Sequence, residues 1–357
     1  MANPLTPEIR TSPHLKRPQS VDEIMRQVVY ALLPICAFAV WLFGISALVL
    51  ILVTTATTVA CEALFSRLQG KGDTVADFSA VITGILLALT LPPGFPLWMA
   101  VVAAVVAIGL GKALFGGLGF NVMNPALVGR AFVQAAFPVA ITTWTPPLAP
   151  GRFLEFIPST WTAPLMTPPE VKDWILGLQV DGFTGATPLA LQKFQHMGTD
   201  AYDLFMGAVP GSAGETSALL ILACGLYLGL RRLMDWRIPT GVFAGAILTS
   251  LPLWLWHPEL YPSPLFCLLS GGLMLGALFM ATDMVGSPVT PLGAFLYGFL
   301  IGFVTIIIRL FGGLSEGVMY AILLANALSP LIADVTQPRV YGTARSVKKP
   351  VAAGSVK

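Results

Sequence analysis

The run Asp181-Gly182-Phe183-Thr184-Gly185-Ala186-Thr187-Pro188 sets a hydroxyl and a carboxylate in a turn of small residues, with the Thr187 hydroxyl expected to be accessible. Pro188 biases Thr187 toward extended geometry, and the glycines leave the backbone free to turn. On physical grounds alone such a stretch is a loop, because Ser, Thr and Gly populate turns everywhere. A second reactive position is Asp283, between Thr282 and the Gly286-Ser287-Pro288 break at the end of an apolar run. Ionisable groups at membrane depth are costly and often functional, so Asp283 is the candidate for ion coupling; its competing role is to cap the following helix. Lys112 and Arg130 bracket a Gly- and Asn-rich stretch. They are placed to hold an anion or, more commonly, to snorkel to headgroups, and Arg309 likewise reads as interfacial.

Other polar and soft residues offer less. Cys36, Cys61, Cys224 and Cys267 fall in separate apolar segments without iron–sulfur or zinc spacing, so packing is their expected role. His14, His196 and His257 are isolated, and no metal site is expected. Most of the tryptophans fall near the ends of apolar runs, as an aromatic belt requires. Gly117-x-Gly119 lacks the βαβ surroundings of a dinucleotide fingerprint. Basic and aromatic residues do not interleave in a patch, which excludes nucleic acid as a partner.

The elements that must position these residues follow from composition. Apolar residues make up 55% of the 357 and charged residues 11%, against roughly 25% charged in a soluble domain. Lipid is the expected solvent. Charge-free runs, converted at about 20 residues per crossing, predict spans at 22–42, 45–65, 79–91, 97–115 and 124–143, then 216–231, 239–256, 264–281, 291–309 and 317–333. The expected fold is an all-α integral membrane protein of about ten transmembrane helices in two five-helix halves, 22–143 and 216–333. A 1–21 segment precedes them, a polar 144–215 insertion divides them, and a 334–357 tail follows. An odd number of spans per half would invert the second copy, and Gly84-x-Leu86-x-x-x-Thr90 has a counterpart in Gly276-x-Leu278-x-x-x-Thr282. Arg10, Lys16, Arg17, Arg26, Arg67, Lys71, Arg231, Arg232, Arg237 and the basic tail from Arg339 to Lys349 all fall on one side of a ten-span model. That side is the cytoplasmic one, which puts both termini inside and 144–215 on the outer face.

The order Asp, two residues, Ser or Thr, Gly, Ala, Thr resembles the flavinylation signature on which a dedicated transferase places the phosphate of FMN. The match covers Asp181, Thr184, Gly185, Ala186 and the acceptor Thr187. The stretches 83–93, 119–132 and 281–288 also look like sequence from the RnfD/NqrB family, whose members belong to the Rnf electron-transport complex and to the sodium-pumping NADH:quinone reductase. This resemblance implies covalent FMN on Thr187 as an anchored carrier, and a second, noncovalent flavin, riboflavin, within the membrane. The region expected for the second flavin is the pair of interrupted segments, with Asn121 and Asn124 at its polar edge. It further implies a bacterial inner membrane and partner subunits that carry another covalent flavin and iron–sulfur centres. The implied activity is electron transfer between NADH and ferredoxin coupled to movement of Na⁺ or H⁺, with this chain not catalytic alone. The rival reading is a transporter or channel for a small polar solute.

Overall fold

In a computed structural model of the chain, residues 20–70, 75–169, 171–177 and 185–338 are described. Asp181 and Thr184 of the signature, and most of the cations used for orientation, lie outside them. Among the described residues the regular structure is entirely helical.

The first two spans are helices α1 (Val21–Phe43) and α2 (Ile45–Leu68). Ser20 caps α1 by accepting from the Glu23 amide, the Ser-x-x-Glu pattern that starts helices. Gly44 divides the two at φ +74°, where a Cβ would lie 2.0 Å from the Arg152 carbonyl oxygen, so no side chain fits. After α3 (Ser79–Thr90), Leu91 to Pro96 is non-helical and α4 (Leu97–Gly111) follows. Every residue of α3 from Thr83 to Thr90 is buried, which makes it a core helix. The expected fifth span is shorter than its apolar run: α5 (Pro125–Ala136) ends where Pro138 offers no N–H, leaving a turn, α6 (Pro138–Ile141).

The insertion contributes α7 (Val171–Gly177), α8 (Pro188–Gln195) and α9 (Ala201–Met206). It is tied to one end of the bundle. Leu148 donates to Leu42 O, Ile45 to Arg152 O, Leu97 to Thr160 O, and Ala213 and Gly214 to Leu91 O and Leu89 O. The last two bonds satisfy carbonyls that the C-terminus of α3 would leave without partners.

The second half runs α10 (Ala218–Leu230), α11 (Arg237–Trp256), a broken element, α14 (Pro291–Phe311) and α15 (Val318–Thr336). The broken element is α12 (Pro264–Leu269), a turn at Ser270–Gly272, then α13 (Leu273–Leu275) running into a π-helical turn, Gly276–Met280. The span expected at 264–281 is therefore discontinuous. The closest helix pairing is α11 with α14, through Gly241, Gly245, Gly298 and Gly302. A Cβ on Gly245 would lie 2.3 Å from Phe299 O, and one on Gly302 would lie 2.1 Å from Val242 O. Such reciprocal Gly-x-x-x-Gly contacts let backbones touch where lipid supplies no hydrophobic drive.

Six of the described helices are long and apolar enough to cross a membrane, α4 being among them when the turn that continues it to Phe115 is included. As little as 28% of a spanning window is buried in the protein. Leu33, Leu48, Leu52, Leu248 and Phe303 face outward, so apolar surface on this scale needs acyl chains around it. The chain is a multi-pass, all-helical membrane protein.

Candidate functional site

Three chemistry-bearing regions emerge, and the first unites residues far apart in sequence. A pocket between α1, α3, the start of α5 and the end of the π-turn is lined by Ser79, Thr83, Lys112, Asn121, Asn124, Thr282 and Asp283. The residues expected for ion coupling and for a polar cofactor edge thus share one cavity. Their roles divide on inspection. Asn124 is committed to structure, since its Oδ1 accepts from the Ala126 amide at 3.0 Å to cap α5 and its Nδ2 donates to Met280 O at 3.1 Å. Asn121 donates weakly to Asp283 Oδ2 at 3.4 Å, and its buried Oδ1 has no partner. Asp283 is half-buried and accepts from the Val285 amide at 3.3 Å, and among the described residues no cation pairs with it. It does not cap the next helix, because Thr290 does so for α14.

Lys112, on the rim of that pocket, is 3% exposed, which corrects the expectation that it snorkels. Its ammonium donates to both Glu62 oxygens, at 2.5 and 2.7 Å, and to Ser79 Oγ at 2.6 Å. All three donors are used, and the first residue of α3 is pinned to α2 and α4. Sequence reasoning missed Glu62, although a lone acid in an apolar helix was a readable signal.

The second region lies at the other end of α3, about 18 Å away for twelve helical residues. Arg130 is buried too, against expectation. It donates from Nη1 to Glu215 Oε1 at 2.9 Å and from Nη2 to Glu316 Oε2 at 2.6 Å. Arg309, expected at an interface, is also buried and donates to Cys267 O and Ser270 O at 2.6 and 3.1 Å, which satisfies carbonyls at the break after α12. Gly272 is required here, for a Cβ would meet the Glu215 carboxylate at 2.4 Å. Glu215 and Glu316 sit in polar connections, and nothing in their sequence surroundings distinguishes them.

The third region is Thr187. Its φ and ψ of −76° and 158° are the extended geometry that Pro188 imposes, and its Oγ1 accepts from the Ala190 amide at 3.3 Å as the N-cap of α8. The accessible hydroxyl expected from the sequence is not what the structure has. Thr187 is 4% exposed, and Leu189 in the same turn is buried with its side chain against Gly271. Lys193 holds the other end of α8, donating to Ile308 O, Gly312 O and Leu314 O at the end of α14. Partial burial pulls the Lys193 ammonium below its ordinary pKa range. Gly185, at φ +73°, supplies the turn ahead of Thr187, and Ala186 lies between them.

Residues 8–342 match the model of the NQR2, RnfD, RnfE family. The chain belongs to that family. Among its NQR2, RnfD, RnfE relatives is the D subunit of the Na⁺-translocating ferredoxin:NAD⁺ oxidoreductase complex of Acetobacterium woodii, 40% identical over 97% of this chain and 99% of its own length. The D subunit of the ion-translocating oxidoreductase complex of Stutzerimonas stutzeri is 42% identical over 94% of this chain and 96% of its own. That of the proton-translocating ferredoxin:NAD⁺ oxidoreductase complex of Clostridium ljungdahlii is 37% identical over 94% and 96%. Relatives named for Na⁺ and for protons are similarly alike to this chain, so overall likeness does not choose the ion.

Proposed function

We propose that this chain is the D subunit of an ion-translocating ferredoxin:NAD⁺ oxidoreductase complex and carries FMN as a phosphoester on Thr187. The observation that carries the reading is the acceptor signature ending at Thr187, in a chain alike over nearly its whole length to proteins named as that component. The helix position suits an attached phosphate, and the 4% exposure of Thr187 means that α8 must lift for the group to be attached. The acceptor oxygen stands at the N-terminus of α8, where amides and the helix dipole favour negative charge. Bound there, FMN would supply one- or two-electron chemistry that no side chain provides. Thr187 anchors, α8 orients, and Lys193 fixes α8 to α14.

The ten apolar segments are proposed as ten crossings in two inverted halves, with the discontinuous elements around α3 and α13 at the centre. Similar pairings in each half support this reading: α2 with α4 and α11 with α14, then α4 with α5 and α14 with α15. In this arrangement the termini are cytoplasmic, α8 is on the periplasmic side of a bacterial inner membrane, and the partners are the other Rnf subunits, including one with a second covalent flavin and others with iron–sulfur centres. Asp283 is proposed to couple ion movement, since an unpaired carboxylate beside the free Asn121 oxygen suits a small cation or a proton. For noncovalent riboflavin the fit is poor. The pocket's free volume of about 100 Å³ falls below the roughly 300 Å³ at which small-molecule sites begin, and Asn124 has no group to spare. No step is assigned to riboflavin.

The test is a denaturing gel of the chain coexpressed with its flavin transferase and viewed for flavin fluorescence. A band in the parent protein that vanishes in Thr187→Ala is expected. A band retained in that variant removes the anchor assignment.

A further inference from the structure

One cleft in the protein is lined by the helix that follows the attachment residue and has no part in the reading so far. Leu189, Gln192 and Lys193 line it at i, i+3 and i+4, so a single face of α8, together with its C-cap His196, forms one wall. The facing wall comes from Tyr261, ahead of α12, and Phe311, at the end of α14, whose ring centroids are 6.5 Å apart. Its free volume is about 220 Å³, against about 100 Å³ for the pocket at Asp283, and it has to take only the ring of a cofactor rather than a whole ligand. Arg309 also lines the cleft and is buried, yet its Nε–H has no acceptor. A buried donor without a partner is costly, so a small shift of Arg309 toward the cleft would let a ligand's acceptor satisfy it.

We propose that this cleft receives the isoalloxazine ring of the flavin esterified to Thr187, an inference that rests on the attachment proposed above. The chemistry matches on three counts. Aromatic side chains offer edges and faces to a planar heteroaromatic ring. The ring's carbonyl oxygens and unprotonated nitrogens are acceptors for the Arg309 Nε–H. Two cationic side chains, Arg309 and Lys193, favour the electron-rich reduced ring over the oxidised one. Tethering supplies the remaining reason, because a group bonded to the first turn of α8 is held beside the wall that α8 itself forms. Phe311 is 60% exposed, which leaves one edge of the cleft open for electron exchange with a neighbouring centre.

The experiment uses the intact complex with covalent flavin and compares the parent with Tyr261→Ala/Phe311→Ala and with Gln192→Trp, which fills the cleft from α8. All three should show equal in-gel flavin fluorescence per chain. Both variants should lose most of the visible circular dichroism of this flavin and show several-fold greater quenching by iodide. Unchanged dichroism and quenching in both would overturn the proposal, as expected if a lipid chain occupies the cleft instead. So would loss of the gel band from stably inserted variants, since esterification at a separate hydroxyl does not require the ring site. Failure of the underlying attachment is distinguishable, because then Thr187→Ala keeps its band.

Discussion

The Lys112 and Arg130 clusters stand at opposite ends of α3 and handle buried charge in different ways. At Arg130 two carboxylates from separate connections converge on one guanidinium, and Arg309 beside them satisfies the carbonyls of a helix break. At Lys112 one carboxylate is matched by one ammonium, while Asp283 across the same pocket is left with an amide and a backbone N–H. The first arrangement locks three chain segments together and leaves little free space. The second keeps a carboxylate in a cavity with no cation paired to it among the described residues, the place proposed for the coupled ion. Burial alone therefore does not separate function from structure in this membrane protein; the difference lies in whether the charge already has its counter-charge.

Removing the cation that faces two carboxylates should do the most damage. Arg130→Met leaves buried Glu215 and half-buried Glu316 without their ion-pair partner and with only Arg309 nearby, and a loss of about 3–5 kcal/mol is expected in thermal or denaturant unfolding of the purified chain. A variant as stable as the parent would mean that the cluster is hydrated and the contrast with Asp283 is false. Lys112→Met should cost somewhat less, because a single carboxylate is stranded; adding Glu62→Gln should recover most of the loss, and no recovery would show that the pair is not coupled. Thr187→Ala should cost about 1 kcal/mol through loss of the α8 cap, apart from any effect on the flavin. Asp283→Asn should change stability least, within about 0.5 kcal/mol, while abolishing ion uptake in vesicles that still transfer electrons. Stability falling as far as in Lys112→Met would make Asp283 a structural group.

Helix positions were legible because apolar runs and their Pro and Gly breaks are local. Gly44 and Pro92-Pro93 end helices in the structure where the sequence implies it. The discontinuity at Ser270–Gly272 was not read, since an apolar run with small residues continues through it, and the carboxylate that packs against Gly272 arrives from distant position 215. The partners of Lys112 and Arg130 were illegible for a similar reason. Charges near a span end look alike whether they reach headgroups or turn inward, and only tertiary contacts decide. Thr187 was found by its motif, but its burial depends on how α8 packs on α14, which no local signal encodes. Asn121 and Asn124 stand out together and Asp283 by itself, and the convergence of all three on one cavity is a property of the fold.

The central claim concerns a bond at one hydroxyl, and the most direct measurement is peptide mass mapping of the native chain across residues 178–195. The account predicts that this peptide carries the added mass of one FMN residue, with fragmentation placing it on Thr187. An unmodified peptide from the assembled, electron-transferring complex would contradict it.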